Sequence, residues 1–320
     1  MSRMRLHRRL ILAGAVAATA ALMMTACSSG TALPGDDTPA TGGASDGASS
    51  ASGLLADAPV AGDDLIVDGS TMAAIKERGK LIVAEALDAP LLSQQDPTNP
   101  DNVTGFDAEL AKALAVYILG KPEVEIVPPA SQTREALLQN GTVDVVFNTY
   151  TITEERAQQI SFAGPYFESG LAVAIKKGTS GITSEKDLDG KTVIVGANTP
   201  AVTAVPEIAP KATLVQFDTD PAAVQALLQG RGDAYVQDYT LLASDAASES
   251  NLQVVGNPFT KEPYGIGLKH DDAEFKKFIN DWLVKIQKSG LWAKIWQETL
   301  GTVTVGDAPT PPEIGSVPGS

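Results

Sequence analysis

Sulfur and imidazole are scarce in this 320-residue chain, which has one cysteine, Cys27, and two histidines, His7 and His270. A lone cysteine excludes an intramolecular disulfide, so stability has to come from an apolar core. With only two histidines, and His7 inside the N-terminal segment that reads as a cleaved signal, a histidine metal cluster is excluded, and no catalytic or metal-binding set stands out. Positive charge is also short, with 24 Lys and Arg against 39 Asp and Glu and a formal net charge of −15. Proteins that bind nucleic acid or anionic membrane surfaces are basic, so both partner classes are disfavoured. A local anion site is still allowed, because the field in a cleft is set by the groups nearest to it.

What is present begins at the N-terminus. Arg3, Arg5, Arg8 and Arg9 precede a short apolar run, residues 10–22, and small residues then lead into Cys27. This reads as a secretory signal peptide, 1–26, too short and wrongly flanked for a transmembrane helix. Met24-Thr-Ala-Cys27 resembles the lipobox of bacterial lipoproteins, with Met24 where leucine is usual. The resemblance implies a diacylglyceryl thioether on Cys27, anchoring the chain at the outer face of the cell membrane; the alternative is an ordinary signal peptide with a stray cysteine. Two or more acyl chains give stable anchoring where one is marginal. Removing the signal takes four arginines, so 24 basic residues become 20 against 39 acidic, a net of −19.

Residues 28–53 contain only Ser, Gly, Thr, Ala, Pro, Asp and one Leu. Such a composition cannot bury enough apolar surface to offset its ordering entropy. A disordered tether over 27–62 is expected, with an r.m.s. span on the order of 35 Å. The Pro- and Gly-rich segment 305–320 is expected to be loose as well. About 240 residues lie between these ends, enough for two lobes of ordinary domain size.

In that stretch strands and helices alternate, which argues for parallel sheets. Lys80-Leu-Ile-Val-Ala reads as a strand after a short helix at 70–78. Phe106, Leu110, Leu114 and Ile118 form one stripe of a helix over 106–118, and 123–127 is a second strand. An internal echo follows. Ala136-Leu-Leu-Gln-Asn-Gly-Thr-Val-Asp144 precedes one apolar strand, and Ala226-Leu-Leu-Gln-Gly-Arg-Gly-Asp233 precedes another. Each copy is a helix end, a glycine stop, an aspartate turn and a buried strand. Two sheets with one copy each is the economical interpretation.

The first copy runs into Asn148-Thr-Tyr-Thr-Ile-Thr-Glu-Glu-Arg156 and the second into Gln237-Asp238. Polar groups thus gather at carboxyl ends of strands, where open α/β sheets bind ligands. Arg156 offers a planar fork suited to a carboxylate. The plainer interpretation of 148–156 is a helix capped by Thr153 with Arg156 in solvent. Asp238 is at once a candidate ligand and a helix N-cap, and the two roles are compatible. Pro165-Tyr-Phe-Glu-Ser-Gly-Leu and Glu262-Pro-Tyr-Gly-Ile-Gly-Leu suggest two extended crossings that form a hinge. Helices at 271–289 and 290–300 then return to the first lobe, with Trp282, Trp292 and Trp296 as core. The lobe boundaries follow as 63–170 and 266–304 for the first and 171–265 for the second.

Read in order, these pieces resemble the extracytoplasmic solute-binding proteins of amino-acid ABC importers. They are Arg78-Gly-Lys-Leu-Ile-Val, Gly105-Phe-Asp-Ala-Glu-Leu-Ala-Lys-Ala-Leu, Arg134-Glu-Ala-Leu-Leu-Gln-Asn-Gly-Thr-Val-Asp, Thr151-Ile-Thr-Glu-Glu-Arg, Phe162-Ala-Gly-Pro-Tyr, Asp187-Leu-Asp-Gly-Lys-Thr-Val, Asn198-Thr-Pro, Gly232-Asp-Ala and Pro263-Tyr-Gly-Ile-Gly-Leu. The stretches around Arg134 and Tyr264 resemble in particular those of actinobacterial glutamate/glutamine-binding lipoproteins. The resemblance implies a two-lobed, type II periplasmic-binding-protein-like α/β fold, each lobe a mixed, mostly parallel sheet flanked by helices, with a two-strand hinge.

It also implies roles. Arg156 would fork onto a ligand α-carboxylate with Thr151 and Thr199, beside Asn198 and the helix start at Pro200. Asp238 and Thr149 would take the α-ammonium. Arg134 lies in the first turn of its helix, where a cation opposes the helix dipole. Facing the cleft it would select glutamate or aspartate; as a surface arginine it would leave glutamine and asparagine equally plausible. Family members carry an aromatic after the first strand, but here the sequence is Asp88-Ala-Pro-Leu-Leu92, with Asp88 a weak contact candidate.

The expected activity is capture of a polar amino acid by a monomer that delivers it to an ABC permease, without cofactor or metal. A sensor subunit reporting to a membrane partner is the alternative. A dehydratase on the same fold is disfavoured, because Arg134, Arg156 and Asp238 suit ion pairing and supply no catalytic set.

Overall fold

The computed structural model describes residues 53–303 and 306–320. The signal peptide, Cys27 and the tether as far as residue 52 lie outside the described residues. In the first lobe, α1 (Thr71–Arg78) starts where the Ser70 hydroxyl accepts the Ala73 N–H at 3.2 Å and stops at Gly79 with φ 79°. There follow β1 (Leu81–Ala84), a small antiparallel sheet of β2 (Asp88–Ala89), β3 (Ser93–Asp96) and β4 (Asn99–Thr104), and α2 (Phe106–Leu119). Then come β5 (Val124–Val127), α3 (Arg134–Gln139), β6 (Val145–Val146), the one-turn α4 (Glu154–Ala157) and β7 (Ser161–Ser169).

The second lobe holds β8 (Leu171–Lys176), β9 (Thr192–Gly196), α5 (Ala201–Ile208), β10 (Thr213–Phe217), α6 (Asp220–Leu228), β11 (Ala234–Asp238), α7 (Tyr239–Ser248) and β12 (Leu252–Val255). The chain then returns through β13 (Glu262–Leu268), α8 (Ala273–Ser289) and α9 (Leu291–Glu298). The first sheet has the order β5-β1-β6-β13-β7 and the second β10-β9-β11-β8-β12. In each, the first three strands are parallel and the remaining two run against their neighbours. Both sheets are therefore mixed.

The two echoed aspartates do the same work. Asp144 accepts the Ile82 N–H on its carboxylate at 2.8 Å and gives its own N–H to the Ile82 carbonyl at 2.9 Å. Asp233 does this with Thr192, at 2.8 Å in both directions. Each aspartate thus fixes the register of a parallel strand pair at its start.

The stripe of α2, with Phe106, Leu110 and Leu114 wholly buried, packs against the return helices. Trp292 meets Phe106 edge-on at 5.7 Å and donates its indole N–H to the Tyr166 carbonyl at 3.0 Å. Trp282 and Trp296 are buried in the same core. Each such side chain is worth about 1.5–3 kcal/mol of transfer free energy.

The lobes are joined at Gly170, between β7 and β8, and over 256–261, between β12 and β13. These crossings touch. A Cβ on Gly170 would lie 2.3 Å from the Thr260 carbonyl oxygen, and the Leu171 N–H donates to the Thr260 hydroxyl at 2.8 Å.

Two expectations about the ends need correction. Residues 53–62 belong to the first lobe: Leu55 is buried in its core, and the Ala61 N–H donates to the Tyr117 carbonyl at 2.8 Å. Leu54, Leu55 and Ala58 supply the apolar anchors that 28–53 mostly lacks. The segment 306–320 is also packed. The Gly315 N–H donates to the Gly164 carbonyl at 2.8 Å, Ile314 packs on the first-lobe core, and Val317 sits with Tyr150 and Ile152. Ile314 and Val317, three positions apart, seat a segment that its prolines already stiffen.

Candidate functional site

A cavity of about 360 Å³ opens between the lobes at the carboxyl ends of their parallel strands. Its first-lobe side begins with the chain leaving β6. Thr149 has φ 44°, an uncommon value for a β-branched residue. Asp107 holds it there, accepting the Thr149 N–H on Oδ2 at 2.8 Å and the Tyr166 hydroxyl on Oδ1 at 2.7 Å. Asp107 stands in the first turn of α2, where the dipole favours an anion, yet burial pushes its pKa up to about 6. Glu85 is buried near it and is raised well above the usual carboxylate range by burial and by the Asp107 charge.

The two arginines flank one ring. Arg134 lies 4.5 Å and Arg156 4.8 Å from the centroid of Tyr150. Arg156 pairs with Glu135 at 3.3 Å, donates to the Thr151 carbonyl at 2.8 Å, and reaches the Asn198 carbonyl of the second lobe at 2.6 Å. Arg134 donates to the carbonyls of Ser131 at 3.0 Å, Asn148 at 3.3 Å and Asn198 at 3.4 Å. Burial and the neighbouring Arg156 lower the Arg134 pKa to about 10, so it stays charged at neutral pH. A guanidinium carries five N–H groups, so each arginine keeps donors beyond these contacts.

Both interpretations of 148–156 hold in part. Thr153 does cap α4, accepting the Arg156 N–H at 3.2 Å. The Arg156 side chain, however, is only 6% exposed and lines the cavity, so it is not solvated. Arg134 is likewise 4% exposed and lines the cavity, which excludes a surface arginine.

Asp238 ends β11 and caps α7. Its Oδ1 accepts from the Ser169 hydroxyl at 2.9 Å, the Thr240 N–H at 2.8 Å, the Leu241 N–H at 3.4 Å and the Tyr264 hydroxyl. Oδ2 is buried and has no hydrogen-bond partner. Burial pushes the carboxyl up to about 7 despite the Tyr264 and Ser169 hydrogen bonds. An unpaired buried carboxylate oxygen on a cavity wall is costly until a donor or a cation meets it.

Thr149, Thr151 and Thr199 line the cavity too, and the Thr199 hydroxyl donates to the Gly196 carbonyl at 2.8 Å. Asn198 does not line it. With φ 54°, it turns its carbonyl to the arginines and its side-chain amide to Glu135 at 3.1 Å, so it joins lobe to lobe. No aromatic ring lines the cavity among the described residues. The first-lobe surface there is aliphatic, with Ala86, Ala89, Leu92 and Pro128.

Sequence reasoning missed Glu135, Tyr150, Asp107 and Tyr264. The Gly105-Phe-Asp107 and Pro263-Tyr264 pieces were legible as motifs, but their partners are distant in the chain.

Residues 81–302 match the family model described as bacterial extracellular solute-binding proteins, family 3. The chain is similar to the ABC transporter glutamine-binding protein GlnH of Bacillus subtilis, at 34% identity over 231 residues, 72% of this chain and 84% of that protein. It is 34% identical over 250 residues to the glutamate-binding protein GluB of Corynebacterium glutamicum, covering 74% and 84%. Among solved structures, the solute receptor for L-cysteine of Neisseria gonorrhoeae superposes with a TM-score of 0.68 at 31% identity, over 73% of this chain and 95% of that one. An ancestral arginine-binding protein bound to glutamine gives 0.65 at 35% identity, over 70% and 99%.

Proposed function

Because the chain belongs to the family 3 extracellular solute-binding proteins of bacteria, we propose that it captures a free α-amino acid between its lobes and delivers it to an ABC permease. It is a binding protein and not an enzyme. Arg156 takes the α-carboxylate, with the Thr151 and Thr199 side chains beside it, and Asp238 takes the α-ammonium near Thr149. The observation that carries this reading is the unpaired buried Oδ2 of Asp238 in the same cavity as the buried Arg156 guanidinium. The two charges stand on different lobes, so a zwitterion held by both makes contacts that exist only when the lobes are together. Such differential affinity is what shifts an open–closed equilibrium.

Anchoring through lipid on Cys27 keeps the protein on the outer face of the membrane, next to its permease. Glutamate, aspartate, glutamine and asparagine head the ligand set suggested by the sequence, and relatives are named for glutamine and glutamate. A thermal-shift screen of the purified protein against the free amino acids tests the reading. A ligand raises the melting temperature in proportion to the logarithm of its concentration. No shift with any α-amino acid would overturn it.

A further inference from the structure

The same cavity carries carboxylates that no cationic side chain answers. Asp88, on β2 of the first lobe, and Asp220, the first residue of α6 in the second, both line it. Asp245, on α7, is 7% exposed and lies close enough to Asp220 for the two carboxyls to share a proton, and no other donor meets its Oδ2. Asp220 accepts the Tyr235 hydroxyl at 2.6 Å. None of the three takes part in an ion pair among the described residues. Burial and the Asp220 charge push Asp245 up to about 9, and Asp88 adds to both. Neither Arg134 nor Arg156 is among the charges acting on them.

Three carboxyl groups gathered without a counter-charge hold a proton between them or wait for a cation. No metal-holding group is formed by acidic side chains among the described residues, which directs attention to an organic cation. Asp88 and Asp220 belong to different lobes, so closing an empty cavity brings like charges together. A cation between them reverses the sign of that interaction.

We propose that the side chain of the bound amino acid ends in an ammonium or guanidinium group seated between Asp88 and Asp220, with Asp245 behind. This rests on the zwitterion reading above, which fixes the α-carbon end. It moves the ligand out of the acidic and amide set. A side-chain carboxylate would add a like charge beside Asp88 and Asp220, and a neutral amide would leave their charge unanswered. Arg134, whose donors already engage three carbonyls, is then part of the cleft frame.

Titration calorimetry at pH 7 with L-lysine, L-arginine, L-glutamine and L-glutamate on the full exported chain tests this. Lysine or arginine should bind at least about tenfold more tightly than glutamine or glutamate. Asp88→Asn and Asp220→Asn, near-isosteric changes checked for folding by their melting curves, should each cut the lysine-to-glutamine affinity ratio by about tenfold or more. Tighter binding of glutamine or glutamate than of both basic amino acids would overturn the proposal and leave the zwitterion site standing. A basic preference unmoved by both substitutions would also overturn it. Failure of all four ligands to bind would overturn the basic-side-chain proposal, and the screen of all free amino acids then decides the zwitterion reading.

Discussion

Arg156 of the first lobe donates to the main-chain carbonyl of Asn198 of the second at 2.6 Å, and Arg134 reaches the same oxygen at 3.4 Å. The Asn198 amide in turn donates to Glu135 at 3.1 Å. One residue of the second lobe thus closes a ring with three side chains of the first. These bonds exist only while the lobes are together, so they favour the closed state. Charge-assisted hydrogen bonds of this kind are worth about 1.5–3 kcal/mol each.

Asn198→Gly keeps the left-handed backbone and the carbonyl but loses the bond to Glu135. The ligand off-rate in stopped-flow measurements should rise several-fold with a smaller change in on-rate, as is usual for interface contacts. Asn198→Ala should do worse, because alanine pays roughly 1–2 kcal/mol in that conformation. Equal off-rates in wild type and both variants would remove Asn198 as a lobe-to-lobe contact.

Asp238→Asn should weaken amino-acid binding by at least about thirtyfold, the lower end expected when one partner of a buried charge pair is lost. Asparagine is as good an N-cap as aspartate, and the substitution removes a buried charge. The melting temperature at pH 8 should therefore hold or rise while binding is lost. Arg156→Ala should lose binding and stability together, because it strands the buried Glu135.

The pH dependence follows from the raised carboxyls. Burial lifts Asp107 to about 6, Asp238 to about 7 and Asp245 to about 9, above the ordinary aspartate value of about 3.9. Between the unfolded and folded values the native state holds more protons than the unfolded chain, so stability falls as pH rises. The ligand-free melting temperature should decline from about pH 4 towards pH 9. Affinity should move the other way at the acid end. Below pH 7 Asp238 must lose a proton to meet an ammonium, so calorimetry in buffers of different ionisation enthalpy should show proton release.

Arg134→Gln should weaken every amino acid by a similar factor, because three of the guanidinium's five N–H groups brace main-chain carbonyls around the cleft. A loss confined to glutamate, measured against glutamine, would mark Arg134 as a side-chain reader instead.

Much of this was legible from the residues alone. The echoed Asp144 and Asp233 announced two similar sheets because each turn needs a short acidic side chain to tie two strand starts. The tryptophans fell on helical stripes and are core. The small sheet of β2 to β4 was not foreseen: its strands are polar, and Pro97 and Pro100 interrupt them. The burial of Arg156 was open on 148–156 alone, where a capped surface helix and a buried guanidinium look alike, and it was the family resemblance that put it in the cleft, where the structure has it beside Glu135 and Tyr150. The role of Asn198 was hidden for another reason. Its main contact is a carbonyl, which every residue possesses.

The Thr260 hydroxyl accepts from the Leu171 N–H at 2.8 Å and donates to Glu262 at 2.9 Å, while Gly170 leaves no room for so much as a methyl group against it. The two strands joining the lobes are therefore braced to one another and turn like a single axle. A brace at that point opposes sliding of one strand along the other and leaves rotation about the pair as the motion of least cost.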